Sequence, residues 1–223
     1  MAVDSELMTE EGFELGAPAL VCRWRLAGGA LPLANRHLRA LARRTVTGKL
    51  VSPELVAWAK QHIEQTLWRG SLEHPEGVLM LIIDREGRAA MTVGPYEPLT
   101  RRSLGGLLHR VESSHREAEF TGVAPETLWV VDGDSLIWGN DRDFDSSGSS
   151  SLVEDLAHTM GIRVERRELL HEDVKRGILP FDEAFLVSDE HGVVPASDRG
   201  GDRGRRFAQS YESLLAKVRD GKR

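Results

Sequence analysis

Several side chains have types and positions that could do chemistry. Cys22 is the only cysteine and lies in the apolar stretch "ALVCRWRL". A thiol becomes a nucleophile when a nearby base or cation favours its thiolate, and His37, His109 and His191 are the candidate bases. A lone cysteine is also commonly a small buried apolar residue, so both interpretations stay open.

The segment Asp189-Glu190-His191 joins two short apolar runs. A carboxylate beside an imidazole orients and charges the ring, and the two can then act as an acid–base pair. The alternative is an ordinary polar hairpin turn. Asp189 and His191 are therefore candidate catalytic residues.

The stretch "NDRDFDSSGSSSLVEDL" places alternating acids before a run of small hydroxyls. Asp141, Asp143 and Asp145 match the first ligands of an EF-hand loop. Ser146 stands where that loop needs glycine, and Leu152 stands where it needs a bidentate glutamate. The pattern therefore disfavours calcium and leaves an anion cradle or an N-capping loop.

Hydroxyls before a helix can hold an anion together with the backbone N–H groups of the first turn, although the preceding acids oppose this. Ser147, Ser149 and Ser150 are the candidates. Arg25 lies on a predicted strand, faces the side opposite Trp24, and could bind a substrate carboxylate. These four polar residues are the predicted substrate contacts, with a capping loop and a surface arginine as the alternatives.

Composition excludes several classes of partner. The net charge is −6 and the basic residues form no sustained block, so a nucleic-acid partner is not expected. The longest apolar run, Val78 to Ile83, is too short to cross a bilayer. The acidic N-terminus lacks the basic region of a signal peptide, and one cysteine fits a reducing compartment. We expect a cytoplasmic protein with a small-molecule ligand.

The hydrophobic pattern predicts an α+β fold in two halves. Hairpins are expected around Gly28–Gly29, around residues 85–87 and around Asp132–Gly133, since turn residues interrupt apolar runs there. The clearest helix begins after Ser52 as N-cap. The segment containing Pro98 looks like a connection that crosses between the two halves. It predicts an N-terminal α+β domain over 1–98 and a β-rich domain with flanking helices over 99–223.

Three phrases carry a resemblance to a known family: "RWRLAGGALPLANRHLRAL", "SLVEDLAHTMGIRVERREL" and "FDEAFLVSDEHGVVPASD". They resemble class IV aminotransferases, a family that includes branched-chain and D-amino-acid aminotransferases and aminodeoxychorismate lyases. The resemblance implies a two-domain fold, a homodimer, and an active site in the interdomain cleft that uses pyridoxal phosphate (PLP).

The positions that the resemblance assigns to PLP have changed. Arg102 stands where the family has its Schiff-base lysine, and a guanidinium cannot form the required imine. Ala40 replaces the phosphate-binding arginine, and Asp189 replaces the phosphate-binding hydroxyl. The segment with the family's glutamate is missing. We therefore expect no bound cofactor, and Arg102 and His109 become candidate catalytic residues of a changed site, with Cys22, Asp189 and His191.

Three functions follow from this resemblance. The first is a PLP-independent enzyme that acts by lyase or transfer chemistry on a small amino- or carboxylate-bearing metabolite in the cleft. The second is a non-catalytic binding or partner subunit. The third is a PLP enzyme with a relocated lysine, for which Lys49 and Lys175 are the options.

Overall fold

The described part of the chain combines helices with mostly antiparallel strands. The computed structural model describes residues 14–123, 126–139 and 146–221. In chain order the elements are β1 (Pro18–Arg25), α1 (Ala34–Leu41), β2 (Thr45–Val46), β3 (Lys49–Leu50), α2 (Pro53–Gly70), β4 (Val78–Asp84), β5 (Ala89–Gly94), α3 (Leu104–Thr121), β6 (Thr127–Asp132), β7 (Ser135–Gly139), α4 (Gly148–Thr159), β8 (Arg163–Arg167), α5 (Leu170–Lys175), β9 (Glu183–Ser188), β10 (Gly192–Pro195) and α6 (Asp202–Arg219). The predicted α+β class is confirmed.

The first sheet has the order β1-β4-β5 within the described residues, and both pairings are antiparallel. Its central strand, β4, is apolar on both faces because α1 and α2 cover one side and α3 approaches the other. Leu79 and Leu81 are completely buried in this layer. β1 is an edge strand of the sheet, and its open edge is available to the second half of the chain.

The helix α2 follows its sequence signals. The hydroxyl of Ser52 accepts a hydrogen bond from the Leu55 N–H at 3.2 Å, and Pro53 occupies the first helical position. This arrangement satisfies one of the unpaired N–H groups of the first turn and loses none to proline. Ala59 and Ile63 are then buried against the sheet, as their helical spacing predicts.

The turn at Gly28 and Gly29 is present, but the second strand of the predicted hairpin is not. Both glycines have positive φ, 56° and 77°, as a tight turn requires. The pairing beyond them is a single bridge between Ala27 and Ala30. Pro32 has no N–H to donate to a ladder, so the chain leaves the sheet and enters α1.

The second sheet of the described chain has the order β10-β9-β6-β7-β8. Its pairings are antiparallel except β7–β8, which are parallel because α4 lies between those two strands in the chain. Trp129 and Trp138 stack with their ring centroids 4.9 Å apart, and Phe185 extends the cluster towards Phe207 of α6. These four aromatic residues are almost fully buried and form the centre of the core of this half.

All strands of the first sheet precede residue 95 in the chain, and all strands of the second sheet follow residue 103. The chain therefore passes from one sheet to the other close to the predicted connection. The domain boundary at residues 98 and 99 stays a prediction. No helix of the described residues is long and apolar enough to cross a membrane.

The aromatic core gives a direct test of stability. Phe185→Ala removes a fully buried ring, and we expect a loss of about 3–5 kcal/mol in the free energy of unfolding, measured by urea denaturation. Phe120→Ala is the matched control because this ring is 76% exposed, and its effect should stay within about 0.5 kcal/mol. Equal losses for the two variants would contradict the described packing.

Candidate functional site

A small cavity lined by both charged and apolar side chains lies where the two halves meet. It has a volume of about 30 Å³ and lies between β1, α1, α3 and the turn that joins β9 to β10. Its lining residues are Val21, Cys22, Arg23, Trp24, His37, Ala40, Leu41, Arg44, Arg110, Ser114, Glu117, Val123, Glu126, Ser147, Ser188, Asp189 and Glu190. A buried water needs about 10–15 Å³ of such space, so the cavity holds about two waters as it stands.

Asp189 links the two halves at this cavity. Its backbone carbonyl accepts a hydrogen bond from the Arg25 N–H at 3.0 Å, across the open edge of β1. Its carboxylate accepts a hydrogen bond from the Ser149 N–H at 2.8 Å and lies 3.5 Å from Nδ1 of His37. The sequence suggested a pairing with the adjacent His191, but the imidazole beside Asp189 comes from α1.

Asp189 is charged despite its burial. Burial alone would raise the pKa of Asp189, but the imidazole of His37 and the hydrogen bond from the Ser149 N–H outweigh it and lower the pKa to about 2. The first turn of a helix also favours a negative charge. The N-terminus of α4 therefore holds a carboxylate that the chain itself supplies.

The serines before and within α4 are mostly engaged in internal hydrogen bonds. Ser147 is the N-cap and accepts from the Ser150 N–H at 3.1 Å. The hydroxyl of Ser150 also contacts Ser147 at 3.1 Å and Thr127 at 3.2 Å. Only the hydroxyl of Ser149 is buried without a partner among the described residues of this group. The capping alternative accounts for Ser147 and Ser150, and Ser149 supplies the contact to Asp189.

Two arginine–carboxylate pairs form the wall of the cavity on the α3 side. Arg110 makes a bidentate pair with Glu126, at 2.5 and 3.2 Å, and Arg23 pairs with Glu117 at 2.5 Å. Ser188 donates to Glu126 at 2.9 Å. Sequence analysis missed these four charged residues. Arg23 and Glu117 are 94 positions apart in the chain, and Arg110 and Glu126 are 16 positions apart, so no short motif contains either pair. The signal present was a polar stripe on α3, in which Arg110 and Glu117 are seven residues apart and so share a face.

His191 lies beside this network. Its side chain is 5% exposed, and Nε2 is 3.6 Å from Oε1 of Glu126. Burial, together with the positive charges of Arg110 and Arg25, lowers the pKa of His191 to about 4. The ring is therefore neutral at neutral pH. Burial also raises the pKa of Glu190, which Arg23 partly opposes.

The guanidinium of Arg25 has a hydrogen-bond donor, Nη1, without an acceptor among the described residues. Its guanidinium carbon lies 3.2 Å from the ring centroid of Tyr96, and its Nη1 is buried without an acceptor among the described residues. Burial lowers its pKa, but a guanidinium stays protonated at neutral pH. This geometry leaves Arg25 able to accept a carboxylate ligand.

The other predicted catalytic residues lie in different environments. Cys22 lines the cavity, but burial raises the pKa of its thiol to about 12, against the opposing charge of Arg44. It is therefore a protonated thiol at neutral pH, with the character of a buried apolar residue. Arg102 and His109 are exposed and do not line the cavity. The assignment of catalytic roles to these residues stays a prediction.

The candidate lysines are also placed away from the cavity. Lys49 is exposed on β3, and Lys175 pairs with Glu112 at 2.5 Å on the surface. No lysine is present among the residues that line the described cavity. The three acids that match the first ligands of an EF-hand loop, Asp141, Asp143 and Asp145, lie outside the described residues.

Solved structures with a similar fold are known. A candidate branched-chain amino acid aminotransferase from Thermotoga maritima matches with a TM-score of 0.57 and 16% identity, over 89% of this chain and 86% of that one. A candidate 4-amino-4-deoxychorismate lyase from Legionella pneumophila matches with a TM-score of 0.59 and 13% identity, over 93% and 96%. The chain has the class IV aminotransferase fold. No protein-family model and no curated protein matches the sequence.

The expectation of no cofactor is corrected by these comparisons. A hypothetical aminotransferase from Mycobacterium tuberculosis matches in its PLP-bound form with a TM-score of 0.58 and 16% identity, over 96% of this chain and 95% of that one. The altered residues at Ala40, Arg102 and Asp189 were therefore not sufficient grounds for excluding PLP from a chain with this fold.

The side chains of the described cavity do not fit PLP in their present arrangement. The Asp189 carboxylate occupies the N-terminus of α4, and its negative charge opposes a phosphate there. The cavity of about 30 Å³ is also far smaller than the cofactor.

The low pKa of Asp189 predicts a pH dependence of stability. Because the folded pKa of about 2 lies below the ordinary 3.8, the carboxylate stabilises the fold by about 2 kcal/mol above pH 4, and this is lost as the pH falls towards 2. Asp189→Asn should remove that acid-sensitive part in urea unfolding at pH 7 and pH 3. Asp134→Asn is the control, because the Asp134 carboxylate is exposed. This variant should lose as much free energy of unfolding between pH 7 and pH 3 as the wild type does.

The environment of Cys22 predicts that its thiol reacts slowly in the folded protein. We expect the folded protein to show almost no reaction with a thiol-specific disulfide reagent at pH 8, because the raised pKa leaves little thiolate and burial limits access. The same protein in urea should react with one equivalent. Rapid reaction of the folded protein would restore Cys22 as a candidate nucleophile.

Proposed function

We propose that the chain binds a small metabolite with a carboxylate or amino group between its two halves and acts on it by lyase or group-transfer chemistry. The observation that carries this proposal is the buried, unpartnered Nη1 of Arg25. A buried donor without an acceptor destabilises the empty protein by about 1–3 kcal/mol, and more when it is charged. A ligand carboxylate would satisfy it.

The neighbouring charges support this role for Arg25. Arg23 and Arg110 are both neutralised by carboxylates, Glu117 and Glu126, so they contribute little net attraction. Arg25 has no carboxylate within ion-pair distance among the described residues, and Tyr96 fixes the plane of its guanidinium. A planar, fixed guanidinium is suited to a carboxylate because both groups can form two parallel hydrogen bonds.

The pair of His37 and Asp189 is the proposed proton-transfer group. The imidazole is 3% exposed, and its Nδ1 faces the Asp189 carboxylate at 3.5 Å. Trp24 stacks on the ring, with centroids 5.2 Å apart, and so restricts its orientation. An imidazole held this way can take a proton from a bound substrate and return it, while Asp189 stabilises the charged ring.

Ligand binding requires the cavity to open and to extend to Arg25, which does not line it in this structure. A volume of about 30 Å³ is smaller than the 300–1,000 Å³ that is typical of small-molecule sites. Glu190 is only partly buried and lines the cavity, so rotation of its side chain would enlarge the space without moving Asp189. We therefore propose that binding and movement of the Glu190 side chain occur together.

The small cavity also favours a second candidate, a non-catalytic binding or partner subunit. In that case the ion pairs of the cavity would serve to hold the two halves together, and no ligand would be turned over. Ligand binding without conversion of the ligand would distinguish this candidate from an enzyme. The homodimer and the cytoplasmic location stay predictions, as do the absence of nucleic-acid and membrane partners.

Ligand-dependent thermal stability tests the proposal. Amino acids, 2-oxo acids and cyclic dicarboxylic acids should be screened, with PLP as a separate arm. A ligand at 100 times its Kd stabilises the folded state by about 2.7 kcal/mol, which raises the Tm of a protein of this size by about 5–10 °C. Arg25→Gln should remove most of the shift caused by a carboxylate.

Arg163→Gln is the matched control, because this arginine is 76% exposed and pairs only with Glu165 among the described residues. Its ligand response should equal that of the wild type. If no carboxylate shifts the Tm, or if Arg25→Gln responds like the wild type, the proposal fails. A PLP-dependent absorbance at ~410–430 nm that borohydride traps on a lysine would instead support the relocated-lysine enzyme.

A further inference from the structure

Strand β5 is an edge of the first sheet, and its outer side has no partner strand among the described residues. The Asp84 N–H donates to the Arg88 carbonyl at 2.9 Å, and the backbone groups of an antiparallel strand point alternately inwards and outwards from there. The N–H and C=O groups of Ala89, Met91 and Val93 therefore face away from β4. These backbone groups are free to pair with another strand.

The sequence of β5 does not protect this edge. Edge strands are normally guarded against pairing with another chain by charges, proline, bulges or a covering element. The edge strand β8 carries charges at four of its five positions, and the edge strand β10 packs against α6. By contrast, β5 reads "AAMTVG", without charge or proline, and its register with β4 runs without a shift. It is the sheet edge in the described chain that is best suited to pairing.

A groove of about 1,100 Å³ runs between β5 and one side of α2. Trp58 and Trp68 of α2 line it, and Trp68 is 76% exposed. A large exposed aromatic side chain beside a groove marks an interaction site. Because 13 residues line the groove and standard interfaces bury roughly 800 Å² with about 20–30 residues per partner, pairing along it would bury about 800–900 Å² in total. That area fits a dimer that dissociates on dilution.

We propose that a second copy of this chain occupies this edge, with β5 pairing antiparallel to the partner's β5 about a two-fold axis at Met91. This register places Ala89 opposite the partner's Val93 and Met91 opposite the partner's Met91. Every outward N–H then meets an outward C=O, which gives about six hydrogen bonds. The outward groups are symmetric about Met91, so the strand is complementary to itself, as a two-fold interface requires. The pairing is independent of the ligand proposed above.

The charges beside the groove fit the same axis. The chain continues from α2 into β4, which is antiparallel to β5, so α2 runs in the same direction as β5, and Gly70 packs against Val93 where both elements end. With a rise of about 1.5 Å per helical residue and about 3.4 Å per strand residue, the helix position level with Met91 lies between Glu64 and Arg69. The two-fold axis therefore brings Glu64 close to the partner's Arg69. Both side chains are exposed and have no ion-pair partner among the described residues.

Sedimentation equilibrium of the full chain over about 1–200 µM tests the proposal. The average mass should rise with concentration from the 24.8 kDa of one chain towards twice that value. Thr92→Lys adds a charge to the exposed face of the edge strand, and Trp68→Glu adds one beside the groove. Each should raise the dissociation constant of the dimer by about tenfold or more. Circular dichroism checks that both variants are folded.

Phe120→Glu is the matched control, because Phe120 is also 76% exposed but lies on α3, outside the groove. This variant should dimerise like the wild type. A wild type that stays a monomer at every concentration would overturn the proposal. So would Thr92→Lys and Trp68→Glu variants that dimerise like the wild type, or an equal loss of dimer in Phe120→Glu.

A charge exchange tests the two-fold register. Glu64→Arg alone should weaken the dimer, because it places two arginines together on each side of the axis. Adding Arg69→Glu to Glu64→Arg should restore the dimer, since the opposite charges then face each other again. A double variant that dimerises no better than Glu64→Arg would overturn the register about Met91.

Discussion

The described structure depends on the placement of one carboxylate. Asp189 accepts the N–H of Ser149 at the start of α4, faces His37 of α1, and receives the Arg25 N–H at its carbonyl. These contacts join β1, α1 and α4 to the turn between β9 and β10. Burial of a charge is unfavourable unless it is paired and hydrogen-bonded, so each contact makes the others necessary.

The rest of the cavity follows the same principle. Arg110 with Glu126 and Arg23 with Glu117 place two neutral pairs beside Asp189, and Ser188 adds a hydrogen bond to Glu126. Charged side chains fill most of the space where the two halves meet, which explains why the cavity is only about 30 Å³. Arg25, His37 and His191 differ from this pattern because each keeps a buried side-chain nitrogen without a hydrogen-bond partner among the described residues. The proposed function rests on Arg25 and on the pair of His37 and Asp189.

Much of the fold was predictable from local signals. Ser52 with Pro53, the continuous apolar run of β4, and the turn at Gly133 each specify their element through short-range physics, and the structure confirms them. The short hairpin of β2 and β3 was missed because two-residue strands carry too little pattern to be read. The predicted strand after Gly29 did not form, because Pro32 interrupts any ladder there.

The sequence by itself determined the α+β class, the main helices and hairpins, and the resemblance whose fold the comparisons support. These features depend on periodicity, capping and turn residues, which act over a few positions. Only the tertiary structure decided that Asp189 faces His37 instead of its neighbour His191, and that Glu126 lies beside His191. Such pairings join residues 65 or more positions apart, and their geometry is set by how two sheets and α1 pack together, which no local pattern encodes.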